Sequence, residues 1–71
     1  MKQSKKILEI AQNIASIRNI AGISQKSFGS KIGISPEAVE LLESGKVNVS
    51  IKTLQNLCEV YNKSSSDILG F

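Results

Sequence analysis

Residues 25–44 read QKSFGSKIGISPEAVELLES, and the fold follows from how this stretch is punctuated. Between Gln25 and Ile32, Phe28 and Ile32 stand four apart, on one face of a helix. Gly33 is placed to end that helix, because glycine enters the left-handed conformation of a sharp turn at no steric cost. Ser35 offers a hydroxyl to cap a second helix, and Pro36 falls at its first position, where the missing N–H costs nothing. Val39 and Leu42, three apart, form the inward stripe of that helix, and Gly45 closes it. Gly29 lowers helix propensity by about 1 kcal/mol against alanine. Such a cost makes sense where two helices approach too closely for a Cβ.

The same helical grammar continues on both sides. Over residues 4–20, Ile7, Ile10, Ala11, Ile14, Ile17 and Arg18 recur at helical spacing, Leu8 and Ala15 widen the face, and Gly22 supplies a stop. Ser24 can cap the second helix. Downstream, residues 46–49 form a loop and Ser50 can cap a fourth helix bearing Leu54, Leu57, Cys58 and Tyr61. The tract Ser64-Ser65-Ser66 caps a short fifth helix with Ile68 and Leu69. The alternation KVNVSI has no second strand to pair with. The expectation is an all-α chain of five helices and no sheet, one domain over residues 1–71. Its helix pair at about 25–44 follows the helix-turn-helix plan, with the second helix at about 36–44. On spacing alone, a helical hairpin in a small bundle would serve as well.

Composition narrows the function. The chain has 71 residues, 41% hydrophobic and 21% charged, which suits a single small globular domain with a thin core and no separate ligand-sensing domain. With no histidine and one cysteine, Cys58, neither a disulfide nor a Cys/His metal site is expected, and no cofactor motif appears. No nucleophile–base pair stands at a recognisable spacing, and Ser24, Ser35 and Ser50 read as caps, so an enzyme is not expected. The apolar runs are too short to span a membrane and no signal peptide is evident, which predicts a cytoplasmic protein. A lysine-led first helix could lie on a membrane surface, but its apolar face is needed by the core. The net charge is +3, unevenly spread: residues 1–35 carry six cations and one acid, whereas residues 36–44 carry Glu37, Glu40 and Glu43 and no cation. A basic domain favours nucleic acid.

The stretch GISQKSFGSKIGISPEAVELLESGKVNVSIKTL resembles the helix-turn-helix of the phage repressor and Cro type, the XRE family. IRNIAGISQ upstream and SIKTLQNLCEVYNKSSSDIL downstream resemble the family's opening and closing helices, so the likeness covers essentially the whole chain. It implies a compact, lambda-repressor-like five-helix bundle in a cytoplasmic regulator that binds double-stranded DNA, usually as a homodimer on a two-fold operator. It also implies roles for single residues. Gln25 matches the glutamine that holds a phosphate at the start of helix two, and Lys46 a position after the recognition helix that often touches the backbone, though a solvated loop lysine would serve as well; with the helix in the groove, Lys26 would add a further phosphate contact. Arg18 and Glu43 match a structural ion pair that ties helix one to the end of the recognition helix. Val49 stands where the family often has proline, and Lys63 where it often has an apolar residue; neither change threatens the fold.

One departure bears on function. With residues set 100° apart, Val39, Leu42 and Ala38 cluster inward, while Pro36, Glu37, Glu40, Leu41 and Ser44 share the face that would read bases. The usual base readers are Arg, Lys, Asn and Gln, and none is there. Two readings stay open. Glutamate can accept from a cytosine amino group and Leu41 can touch a thymine methyl. Alternatively, the helix has lost base reading and offers an acidic, partly apolar face to a protein partner, as in an antitoxin. Separately, Tyr61, Ile68, Leu69 and Phe71 are expected to leave an apolar patch for a two-fold dimer interface.

Overall fold

A computed structural model of the chain describes residues 5–70. Five helices follow one another: α1 (Lys5–Ala21), α2 (Gln25–Ile32), α3 (Pro36–Glu43), α4 (Ile51–Tyr61) and α5 (Ser65–Leu69), with no strand among the described residues. Four serines start four of them. Ser24, Ser35, Ser50 and Ser64 each hold an extended backbone and accept the N–H three residues on, from Ser27, Ala38, Thr53 and Asp67. Each such cap is worth about 1 kcal/mol. The Asp67 side chain reaches back to the Ser64 N–H, which completes a capping box.

The turn between α2 and α3 sets the geometry of the motif. Gly33 has φ +81°, and the Ile34 N–H returns to the Gly29 carbonyl at 2.9 Å. A Cβ on Gly29 would lie 2.5 Å from the Ile34 carbonyl oxygen. The close approach expected at Gly29 is therefore to the backbone of the turn itself. At the far end of α3, the Lys46 N–H bonds the Leu41 carbonyl and the Gly45 N–H bonds that of Leu42, a Schellman closure with Gly45 at φ +76°.

The helices enclose one core of Ile10, Ile14, Phe28, Ile32, Val39, Leu57 and Ile68. Each such side chain gains about 1.5–3 kcal/mol on full burial. The α1 stripe is narrower than the spacing predicts, because Leu8 remains exposed at the outer edge of the helix. Two asparagines pin the packing over long sequence distances. Asn13 Nδ2 donates to the Ile68 carbonyl at 2.9 Å, and Asn56 Nδ2 to the Ile32 carbonyl at 3.0 Å. Each satisfies a helix-end carbonyl that has no partner within its own helix.

Candidate nucleic-acid interface

Glu43, the last residue of α3, organises one end of the motif. Its side chain is 9% exposed and that of Arg18, reaching from α1, is 19% exposed. Arg18 donates through Nε to Oε2 at 2.7 Å and through Nη2 to Oε1 at 3.1 Å, a two-pronged pair. The remaining Arg18 nitrogen, Nη1, donates to the Ile23 carbonyl at 2.9 Å. Hydrogen bonding to Glu43 raises the Arg18 pKa further above its already high ordinary value. Gln25 joins from the first position of α2, with Nε2 donating to Glu43 Oε1 at 3.2 Å. Glu43 thus fixes which end of the Gln25 amide is nitrogen, and the second Nε2 hydrogen stays available to an acceptor.

Around Gln25 the backbone is open to anions. The Ser24 cap takes the Ser27 N–H, and the N–H groups of Gln25 and Lys26 have no partner within the helix. They lie at the positive end of the α2 dipole, and the Lys26 side chain is exposed. Lys46, also exposed, leaves α3 three residues after Glu43. The Glu43 contacts therefore bring Gln25 to the end of α3 from which Lys46 extends.

Along the rest of α3, Pro36, Glu37 and Glu40 are exposed, and Leu41 retains 41% of its surface. Among the described residues neither Glu37 nor Glu40 takes part in a salt bridge. Ser44 is the C-cap rather than part of the helix, and its hydroxyl donates to the Leu41 carbonyl at 3.1 Å.

This arrangement, two short helices locked across a glycine turn with an arginine–glutamate pair behind them, coincides with a family match. A family model described as helix-turn-helix matches residues 14–68. The chain belongs to this XRE-type helix-turn-helix family. It is 33% identical over 61 residues to the antitoxin PezA of Streptococcus pneumoniae, covering 86% of this chain and 39% of that protein. It is 34% identical over 59 residues to the HTH-type transcriptional regulator PuuR of Escherichia coli, covering 83% of this chain and 32% of that protein. An uncharacterized HTH-type transcriptional regulator of Archaeoglobus fulgidus is 30% identical over 50 residues, 70% of this chain and 71% of that one. The chain thus spans only 39% of the length of PezA and 32% of that of PuuR. No solved structure matches it.

The apolar patch expected at the C-terminus is largely closed among the described residues. Ile68 has no exposed surface, because α1 and α4 enclose it, so it cannot line an interface. Leu69 is half-buried against the same core. Tyr61 is half-buried, its ring 5.5 Å from that of Phe28 and its hydroxyl enclosed without a hydrogen-bond partner among the described residues, and burial raises its pKa. Phe71 lies outside the described residues. Among the described residues, the large apolar side chains left on the surface are elsewhere: Ile20 at 84% exposed, Ile51 at 77%, and Leu8, Leu41, Val47 and Val60 at 40–47%. Ile51, the first residue of α4, stands outside the apolar face of Leu54, Leu57, Cys58 and Tyr61. No helix among the described residues is long and apolar enough to cross a membrane.

Proposed function

We propose that this chain is a sequence-specific DNA-binding transcriptional regulator of the Cro type, acting in the cytoplasm and binding a two-fold operator as a homodimer. The observation that carries the reading is the Gln25 amide held by Glu43 at the open N-terminus of α2, beside Lys26 and with Lys46 leaving the same end of α3. One Gln25 hydrogen, two backbone N–H groups and two lysines would then grip phosphates, while α3 lies in the major groove. Glu37, Glu40 and Leu41 would select cytosine amino and thymine methyl groups, with Pro36 and Ser44 at the edges of the reading face. Regulators similar to this chain, PuuR among them, support the same direction.

The dimer is assigned to exposed apolar surface outside the core, where Ile20 and Ile51, the most exposed, are the foremost candidates. Half-buried Tyr61 and Leu69, and Phe71, contribute at most its margin. Two recognition helices would then stand about one DNA turn apart, roughly 34 Å. Sedimentation to high micromolar concentration tests this, and a mass that stays monomeric throughout rejects it.

Selection from a random duplex library at physiological salt tests the main reading. Enrichment of a two-fold motif is the expected result, and its absence shifts weight to a protein-binding role. That second reading, an antitoxin or partner-binding module, is favoured by the exposed, unbridged Glu37 and Glu40 and by the likeness to PezA, a protein named as an antitoxin.

A further inference from the structure

Three helices meet at the Glu43 carboxylate. Glu43 ends α3, Arg18 reaches it from α1, and Gln25 reaches it from the first position of α2. Oε2 accepts from Arg18 Nε at 2.7 Å, whereas Oε1 is shared between Arg18 Nη2 at 3.1 Å and Gln25 Nε2 at 3.2 Å. The arginine side holds the carboxylate still. A planar guanidinium that meets both oxygens fixes the plane of the carboxylate, and Arg18 is itself anchored through Nη1 to the Ile23 carbonyl. The glutamine side passes that order to α2. An amide has one donating end and one accepting end of nearly equal shape, and a carboxylate only accepts, so Glu43 turns the Gln25 nitrogen toward itself. A phosphate also only accepts. Glu43 alone would repel it, but Arg18 opposes that charge at 2.7 Å.

We infer that Glu43, held by Arg18, is a positioning residue of the phosphate grip: it presets the Gln25 amide so that the second Nε2 hydrogen is offered to a backbone phosphate of double-stranded DNA. The free N–H groups of Gln25 and Lys26 serve the same anion. The inference rests on the reading of the α2 N-terminus as a phosphate site. The arginine–glutamate pair then does more than tie α1 to α3. Without it the amide turns freely and in some orientations presents its oxygen to the phosphate, so binding must first order it. The effect of Glu43 on affinity therefore runs against its charge. Neutralising an acid beside a phosphate should tighten DNA binding, whereas neutralising Glu43 should weaken it.

The test measures binding of a fluorescein-labelled mixed-sequence duplex at low salt to the wild-type chain and to Glu43→Gln, Arg18→Lys and Gln25→Ala, with each of the first two also combined with the third. Glu43→Gln should weaken binding about threefold although it removes a negative charge, in keeping with the net strength of one hydrogen bond. Arg18→Lys keeps the charge and loses the two-pronged grip, and it should weaken binding by a similar factor. In the Gln25→Ala background no amide remains to be oriented, and there Glu43→Gln should tighten binding, as its charge dictates. Tightening in both backgrounds, which charge alone explains, overturns the inference; so does equal weakening in both, which a general loss of structure explains. Circular dichroism checks that helix content is kept. Should Glu43→Gln lose it, NMR of the wild-type chain decides. One Hε2 proton of Gln25 should resonate downfield of those of the exposed Gln12 and Gln55, and the other should move downfield as duplex is added. Gln25 protons that match those of Gln12 and Gln55, or that do not respond to duplex, overturn the inference. If the wild-type chain binds no duplex, the DNA reading falls and the inference with it. If it binds and the sign or the Gln25 response fails, the inference alone falls.

Discussion

Glu43 and the pair Glu37 and Glu40 sit on one eight-residue helix, yet they belong to different parts of the molecule. Glu43 is 9% exposed and receives three hydrogen bonds from Arg18 and Gln25, whereas Glu37 and Glu40 stand in solvent without a salt bridge among the described residues. The difference is one of phase around the helix. At the inner edge a carboxylate meets α1 and the start of α2; 100° or more away it meets whatever the protein binds. An acidic recognition helix is thus two things, a structural hub and an exposed face, and charge counting merges them.

Breaking the hub should have the largest effect. Glu43→Ala leaves the half-buried Arg18 and the Gln25 amide without their acceptor, and the expected cost is about 3 kcal/mol, readable in urea unfolding. A loss below about 1 kcal/mol would place the pair with ordinary surface bridges. Next is the turn on which the hub depends. Gly29→Ala drives a methyl into the Ile34 carbonyl oxygen, and despite better helix propensity it should cost about 2 kcal/mol. Wild-type stability in that variant would mean that the turn yields freely.

Binding effects come third. Lys46→Ala should weaken binding to every duplex and reduce the slope of log K against log salt by about one phosphate contact. Neutralising the exposed pair should come last in stability, with Glu37→Gln and Glu40→Gln each changing unfolding free energy by less than about 0.5 kcal/mol. Their effect belongs in duplex selection, as an altered preferred sequence. Uniformly tighter binding to all sequences would show that they repel phosphates and read nothing. Asp67 offers a third kind of acid, exposed but bonded locally. The Ser64 backbone N–H, then the Ser64 hydroxyl, hold its carboxyl below the usual value. Its contribution to α5 is therefore full above the unfolded-state pKa and lost as pH falls through the lower folded value. Titration of its carboxyl carbon by NMR should give a midpoint below that of an unstructured aspartate.

Legibility in the sequence followed the range of each interaction. The serine caps and the glycine stops were readable because their partners lie within a few residues. Core stripes were readable from period, and the hub pair from family resemblance. What escaped depends on residues far away in sequence. Nothing near Asn13 or Asn56 announces a carbonyl 55 or 24 positions away. Ile68 looked available for an interface because a five-residue helix gives no sign that it will be fully enclosed. Gln25 was identified as a phosphate ligand from its place in the motif, but its bond to Glu43 appears only when α2 and α3 are assembled.

The Asn13 contact with the Ile68 carbonyl ties the first helix to the last. During synthesis the helix-turn-helix emerges before residue 68, so α1 must wait with part of its apolar stripe uncovered until the fifth helix leaves the ribosome. The helix-turn-helix is complete in sequence at Glu43, and α5, which covers α1, follows only at Ser65. Free chains truncated between residues 62 and 68 should be sensitive to protease in α1, and restoring the residues through Gly70 should end that sensitivity as the clasp between α1 and α5 closes.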